Sequence, residues 1–286
     1  MIPIDQMNNK EKKDFLENII KSDDRFFNDF SEEFQILIND LDIEVRELTI
    51  SALWDFPSTE FLSLLLDLSE KDPEQLIRER AISGLGRYMF ELEDLLTDVE
   101  DIFSEYNNDE EIPKYKLIEA KNHLISIYRN PEKPIEERCY AIKALGFLTS
   151  EEIQNLIEEA YNSTQKQIKL SAIYAIGRNS SLNWKNVILK EIKNPDVEIK
   201  IEAIGAAGEI GIIESYKELL NLTYSQDKNL ATAAIMALAK TGWKDAFQRL
   251  DELSMSSDSR IREVSERAME NWYIASENYG YNSNDF

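Results

Sequence analysis

Side chains able to do covalent or metal chemistry are scarce in this sequence. One histidine, His123, and one cysteine, Cys139, stand among 286 residues. Zinc and iron centres need several converging nitrogen or sulfur ligands, so neither a metal site nor a cofactor is expected. No Gly-x-Ser-x-Gly turn occurs, and no Cys, His and Asp set stands at a spacing that would activate a nucleophile. Carboxylate pairs such as Glu158/Glu159 could serve acid–base catalysis, but among 55 acidic residues they single out nothing. The sequence therefore predicts no catalytic residue and no enzyme.

Charge narrows the partners. The 32 basic and 55 acidic residues leave a net charge of −23, which opposes a polyphosphate backbone and argues against nucleic acid. The run from Met1 to Lys13 has no apolar core of a leader, and no later segment approaches 18 uncharged apolar residues. A lone cysteine suits a reducing compartment. A cytoplasmic protein without membrane insertion is expected.

The elements that would position a binding surface are helices. Hydrophobic residues make up 43% of the chain, while 9 Gly and 7 Pro supply few of the turns that a β-protein needs. One pattern recurs: Arg78-Glu-Arg-Ala-Ile-Ser-Gly-Leu-Gly86, Arg138 to Gly146, Lys169 to Gly177 and Lys200 to Gly208. Weaker copies start at Arg46, Ala231 and Arg262. Their fourth residues, Thr49, Ala81, Ala141, Ala172, Ala203, Ala234 and Ser265, serve as anchors, and from Ala141 onward each step is 31 residues. Such a unit accommodates two helices of about three turns each. Asp42, Asp196, Asp227 and Asp258 are placed to cap the second helix, and Gly86, Gly146 and Gly177 lie near its expected end. An aliphatic column, Ile157, Ile188, Leu219 and Leu250, marks the first helix. Small residues at the anchor and three positions on let neighbouring helices approach, and no unit can bury its apolar face alone.

The copies Ala141-Ile-Lys-Ala-Leu-Gly146 and Asp258-Ser-Arg-Ile-Arg262 resemble the short HEAT repeats of the phycobilin-lyase-like kind. That resemblance implies an all-α, HEAT-like superhelical α-solenoid of about seven to eight two-helix repeats. Residues 1–40 are then capping helices and the start of the first repeat. Residues 41–273 form the array, with an acidic degenerate segment at 91–116, and 274–286 a disordered tail. The acidic run from Glu91 to Glu111 reads as a solvated face or as a docking site for a basic segment. HEAT proteins with di-iron chemistry use repeated His-Glu pairs, whereas here the single histidine reads His123-Leu124; the strongly basic lining of HEAT-type DNA glycosylases is likewise missing.

In HEAT arrays the second helices line the concave side, so positions −1, +2 and +6 from each anchor are expected to face a partner. They include Arg87, Tyr140, Lys143, Phe147, Tyr174, Arg178, Met236 and Lys240. Six basic and three acidic residues in this stripe suggest a protein or peptide with apolar and acidic residues, held by a non-catalytic scaffold. The resemblance leaves one alternative, a lyase-like factor acting with a linear tetrapyrrole on a client protein.

Overall fold

A computed structural model of the chain describes residues 3–22, 29–97 and 112–277, and these contain fifteen α-helices and no strand. The aspartates expected to open second helices do so. Asp42, Asp196, Asp227 and Asp258 each accept hydrogen bonds from two backbone N–H groups of the following turn, at 2.8–3.4 Å. This satisfies donors that a helix start otherwise leaves unpaired. The architecture is an α-solenoid of helical pairs, divided into two compact units, Met1–Leu148 and Thr149–Phe286.

The second unit is the more regular. Its first helices are α8 (Glu151–Tyr161), α10 (Lys185–Glu191), α12 (Tyr216–Leu222) and α14 (Lys244–Ser254). Its second helices are α9 (Lys166–Asn179), α11 (Val197–Ile210), α13 (Lys228–Lys240) and α15 (Ser259–Glu277), whose starts keep the 31-residue step. Each second helix packs on the next. The anchors Ala172, Ala203, Ala234 and Ser265 and the column Ile157, Ile188, Leu219 and Leu250 are all completely buried.

Gly146 ends α7 as expected, but Gly177, and Gly208 one repeat on, do something other than stop helices. A Cβ placed on Gly177 would lie 3.0 Å from the Cα of Ala206, and one on Gly208 only 2.7 Å from the Cα of Ala237. Both positions lie within helices, where they let successive backbones touch. The left-handed residues that end the second helices come three positions later, at Ser180 (φ 53°), Gly211 (φ 71°) and Gly242 (φ 64°), again at a step of 31.

In the first unit, α1 (Asn9–Lys21) begins with a reciprocal capping box between Asn8 and Glu11 and packs on α3 (Ile43–Ala52), with Leu16 and Ile19 buried. Phe30 joins Phe15, Phe34 and Phe56 in a cluster behind it; Phe26 and Phe27 lie outside the described residues. The pairs are α2 (Ser31–Leu37) with α3 (Ile43–Ala52), α4 (Thr59–Lys71) with α5 (Gln75–Thr97), and α6 (Lys114–Arg129) with α7 (Ile135–Leu145). The anchors Thr49, Ala81 and Ala141 are completely buried.

The acidic degenerate segment expected at 91–116 lies in part outside the described residues. Helices α5 and α7 are direct neighbours: Gly86 faces Ala144, and Arg78 Nε donates to Glu137 Oε1 at 2.7 Å. The long interval between Ala81 and Ala141 is thus one step of the stack. Residues 91–97 are the last turns of α5, 114–116 open α6, and 98–111 lie outside the described residues. At the other end, 274–277 complete α15, and the rest of the expected tail is also outside.

An arginine that begins a repeat copy ties its connection in three places. Arg46, Arg78 and Arg262 each donate to a carbonyl six residues earlier, at 2.8, 2.8 and 2.9 Å. Arg46 also reaches Asp72 of the next pair, and Lys169 reaches buried Glu191 at 3.2 Å.

The contrast between two glycines of α11 tests this packing. Gly208→Ala should lower stability by about 1–3 kcal/mol, because its Cβ meets backbone that must shift. Gly205, which has nothing within 4 Å of a Cβ, should as alanine raise stability by about 0.5–1 kcal/mol. Urea unfolding of both variants measures this; equal effects would show that the close approach is absent.

Candidate protein-binding surface

Positions opposite the anchors are exposed or half-buried in both units, with the exception of Ser171, which is buried. In the first unit, Lys143 Nζ lies 5.7 Å from the Tyr140 ring centroid. Arg87 pairs with Glu91 and sits 5.4 Å over Phe90. Phe147 meets Trp54 at 6.2 Å and Phe90 at 6.3 Å between centroids. Two rings just beyond the ends of α3 and α7 and one within α5 therefore form one cluster, in which Trp54 is 39% and Phe90 51% exposed. Exposed aromatic clusters of this kind supply binding energy at low entropic cost.

Trp54 and Phe90 were not among the residues that the repeat pattern singles out. Trp54 closes a weak copy one place before the +6 position. Phe90 lies beyond the pattern, on the stretch by which α5 overruns its neighbours.

In the second unit, Arg178 donates to the Tyr174 hydroxyl at 3.1 Å and lies 5.4 Å from its ring centroid. Met236 is half-buried on α13, and Lys240 pairs with Glu209. Three of the stripe's six basic residues are paired locally. Arg80 bonds Glu47 at 2.7 Å, Arg87 has Glu91 and Lys240 has Glu209. Such exposed pairs contribute about 0–1 kcal/mol each, and they leave ring surface as the stronger feature of this face.

Polar groups elsewhere read as structure. Burial works against the charge of Glu191, yet hydrogen bonds from Tyr161 (2.5 Å), Asn194 and Lys169 outweigh it and hold its pKa below the usual carboxylate range. Tyr88, whose hydroxyl donates to Ser58 O at 3.2 Å, is pushed up to about 12 by burial. A groove of about 450 Å³ beside Tyr216 and Trp243 carries Lys217 and Lys244 against Glu214 and Asp245, a balance that favours no ligand charge. Among the described residues no group of three or more His, Cys, Asp or Glu could hold a metal ion, and no helix is long and apolar enough to cross a membrane.

One arrangement resembles a nucleophile with its base: the Ser69 Oγ lies 2.8 Å from His123 Nε2, and Glu70 Oε1 lies 3.8 Å from His123 Nδ1. Ser69 is completely buried, and its hydroxyl donates to Leu66 O at 2.7 Å, so its oxygen accepts from the imidazole and its own proton is committed elsewhere. A fluorophosphonate serine probe should therefore leave the folded chain unlabelled. Labelling of Ser69, read by peptide mass spectrometry, would contradict this geometry.

Residues 186–270 match the family described as HEAT repeats. No curated protein matches the chain by sequence. Among solved structures, the CpcE–CpcF complex of phycocyanin lyase from Nostoc is 15% identical with a TM-score of 0.50, covering 85% of this chain and 94% of that one. An importin beta is 11% identical with a TM-score of 0.49 over 94% of this chain and 40% of its own. A computationally designed armadillo repeat protein for modular peptide recognition is 16% identical, with a TM-score of 0.36 over 75% and 99%. Likeness at these identities concerns the fold. The stacked helical pairs make the fold an α-solenoid, and HEAT repeats are matched over residues 186–270 of it.

Proposed function

We propose that the chain is a non-catalytic scaffold that binds a protein or peptide on its second helices. The observation that carries this reading is the exposed cluster of Trp54, Phe90 and Phe147. In the first unit Arg87, Tyr140 and Lys143 flank that cluster; in the second unit Tyr174, Arg178, Met236 and Lys240 are the contact residues. The partner segment is chiefly apolar. Its carboxylates, where present, would compete with Glu47, Glu91 and Glu209 for cations already engaged, so charge contributes specificity more than affinity. The strongly acidic composition turns nucleic acid away, and the single cysteine suits the cytoplasm.

Affinity capture with the full chain, compared between wild type and Trp54→Ala/Phe90→Ala, tests the reading. Truncating true anchors costs about 2 kcal/mol or more, some thirtyfold in affinity. The variant should keep its helical circular dichroism and its melting midpoint within a few degrees while losing the partner that wild type retains. Undiminished binding by the variant would refute the surface. A visible absorbance change on mixing the chain with a linear tetrapyrrole would refute the scaffold in favour of a lyase-like factor.

A further inference from the structure

In three steps of the stack, the base that begins a repeat copy reaches an acid of the next helical pair, and each time that acid stands at a different place. Arg46 of α3 lies 3.3 Å from Asp72, in the connection between α4 and α5. Arg78 of α5 donates at 2.7 Å to Glu137, in the first turn of α7. Lys169 of α9 donates at 3.2 Å to Glu191, the last residue of α10. Asn130 and Asn194 occupy the place of Asp72 in their own connections, since each of the three side chains accepts from the backbone N–H two residues on, at 2.9–3.0 Å. There the connection carries an amide, and the carboxylate comes from elsewhere.

Both displaced acids break the repeat pattern. Among the described residues Glu137 and Glu191 are the buried acids, 0% and 1% exposed. The position of Glu137 is held in the other copies by Val45, Ile77, Ile168, Ile199, Leu230 and Ile261, and that of Glu191 by Ala160, Leu222 and Leu253. An aliphatic side chain would fill either place without burying a charge. Glu137 Oε2, moreover, has Lys133 at 3.7 Å and no hydrogen-bond donor. A buried acceptor left in this way costs stability, so strength is not what this carboxylate contributes.

The apolar faces do not tell one repeat from another. Ala172, Ala203 and Ala234 are identical anchors, and an isoleucine follows each of them. A slipped stack, with a second helix packed on the next but one, would bury nearly the same surface. Its bases would nevertheless lose their acids: Arg46 set against α7 would meet Asn130 where it now meets Asp72. We propose that the displaced buried acids fix the order of the stack, each base accepting one neighbour and rejecting the others. Polar groups in otherwise repetitive cores set register in this way, at a cost in stability.

Moving one acid back to the common place tests this without changing the net charge. In Asn130→Asp/Glu137→Ile both steps of the first unit would carry the same arrangement, so that Arg46 is answered equally by either neighbour. The full-length variant should keep its melting midpoint within a few degrees of wild type or exceed it. It should nevertheless refold from urea as more than one species, seen as extra backbone amide resonances and a reduced monomer peak in size exclusion, whereas wild type refolds as one. Arg78→Met/Glu137→Ile, which removes the pair altogether, should show the same heterogeneity. Refolding of either variant to one monomer with a single set of resonances would overturn the proposal. Failure of both to fold would overturn it too, because the acids would then be needed for stability and not for order.

Discussion

Direct backbone contact between successive second helices is the constraint on which the rest of this structure depends. Gly177 against Ala206 and Gly208 against Ala237 bring the helices close enough that one methyl group would intrude. At this separation the anchors Ala172, Ala203 and Ala234 leave no space, and the isoleucines beside them fill the interval toward the first helices. Side chains at opposite positions are left without a neighbouring layer, and there the candidate binding surface forms. The same small residues that close the core therefore free the other face.

Charge keeps this contact in register. Lys166 bonds Asp196 at 2.7 Å and Glu198 at 3.0 Å, Lys228 pairs with Asp258, and at the start of the chain Lys13 pairs with Asp42 and Glu44. Each aspartate also caps its own helix, so one carboxylate ties together a helix start and the preceding repeat. The lysine hydrogen bonds lead the causes that hold Asp196 and Asp258 below the usual carboxylate range. These groups are partly exposed and contribute little individually, and they recur at three steps of the stack. A net charge of −23 is thus compatible with seams in which opposite charges alternate.

Much of this was legible because a strict 31-residue period projects a local rule onto every repeat. The anchors, the aliphatic column of the first helices and the aspartate caps all follow from spacing and side-chain type alone. What escaped depends on relations between distant residues. Gly177 read as a stop signal because its contact, Ala206, lies one repeat away, and the equivalent contact of Gly208 with Ala237 was hidden for the same reason. The adjacency of α5 and α7 was hidden by a 60-residue interval that mimics two periods. Phe90 joins Trp54 and Phe147 only because α5 continues past the repeat boundary. The stripe seemed basic because Glu47 and Glu91, which answer Arg80 and Arg87, stand off its three positions.

Native-state hydrogen exchange on wild type and Gly208→Ala tests the central contact most directly, since amide protection reports which elements open together. The account predicts slowest exchange in α9, α11 and α13, faster exchange in the short first helices α10 and α12, and a joint loss of protection in α11 and α13 on the substitution. Slower exchange in the first helices, or loosening of α11 without α13, would contradict it.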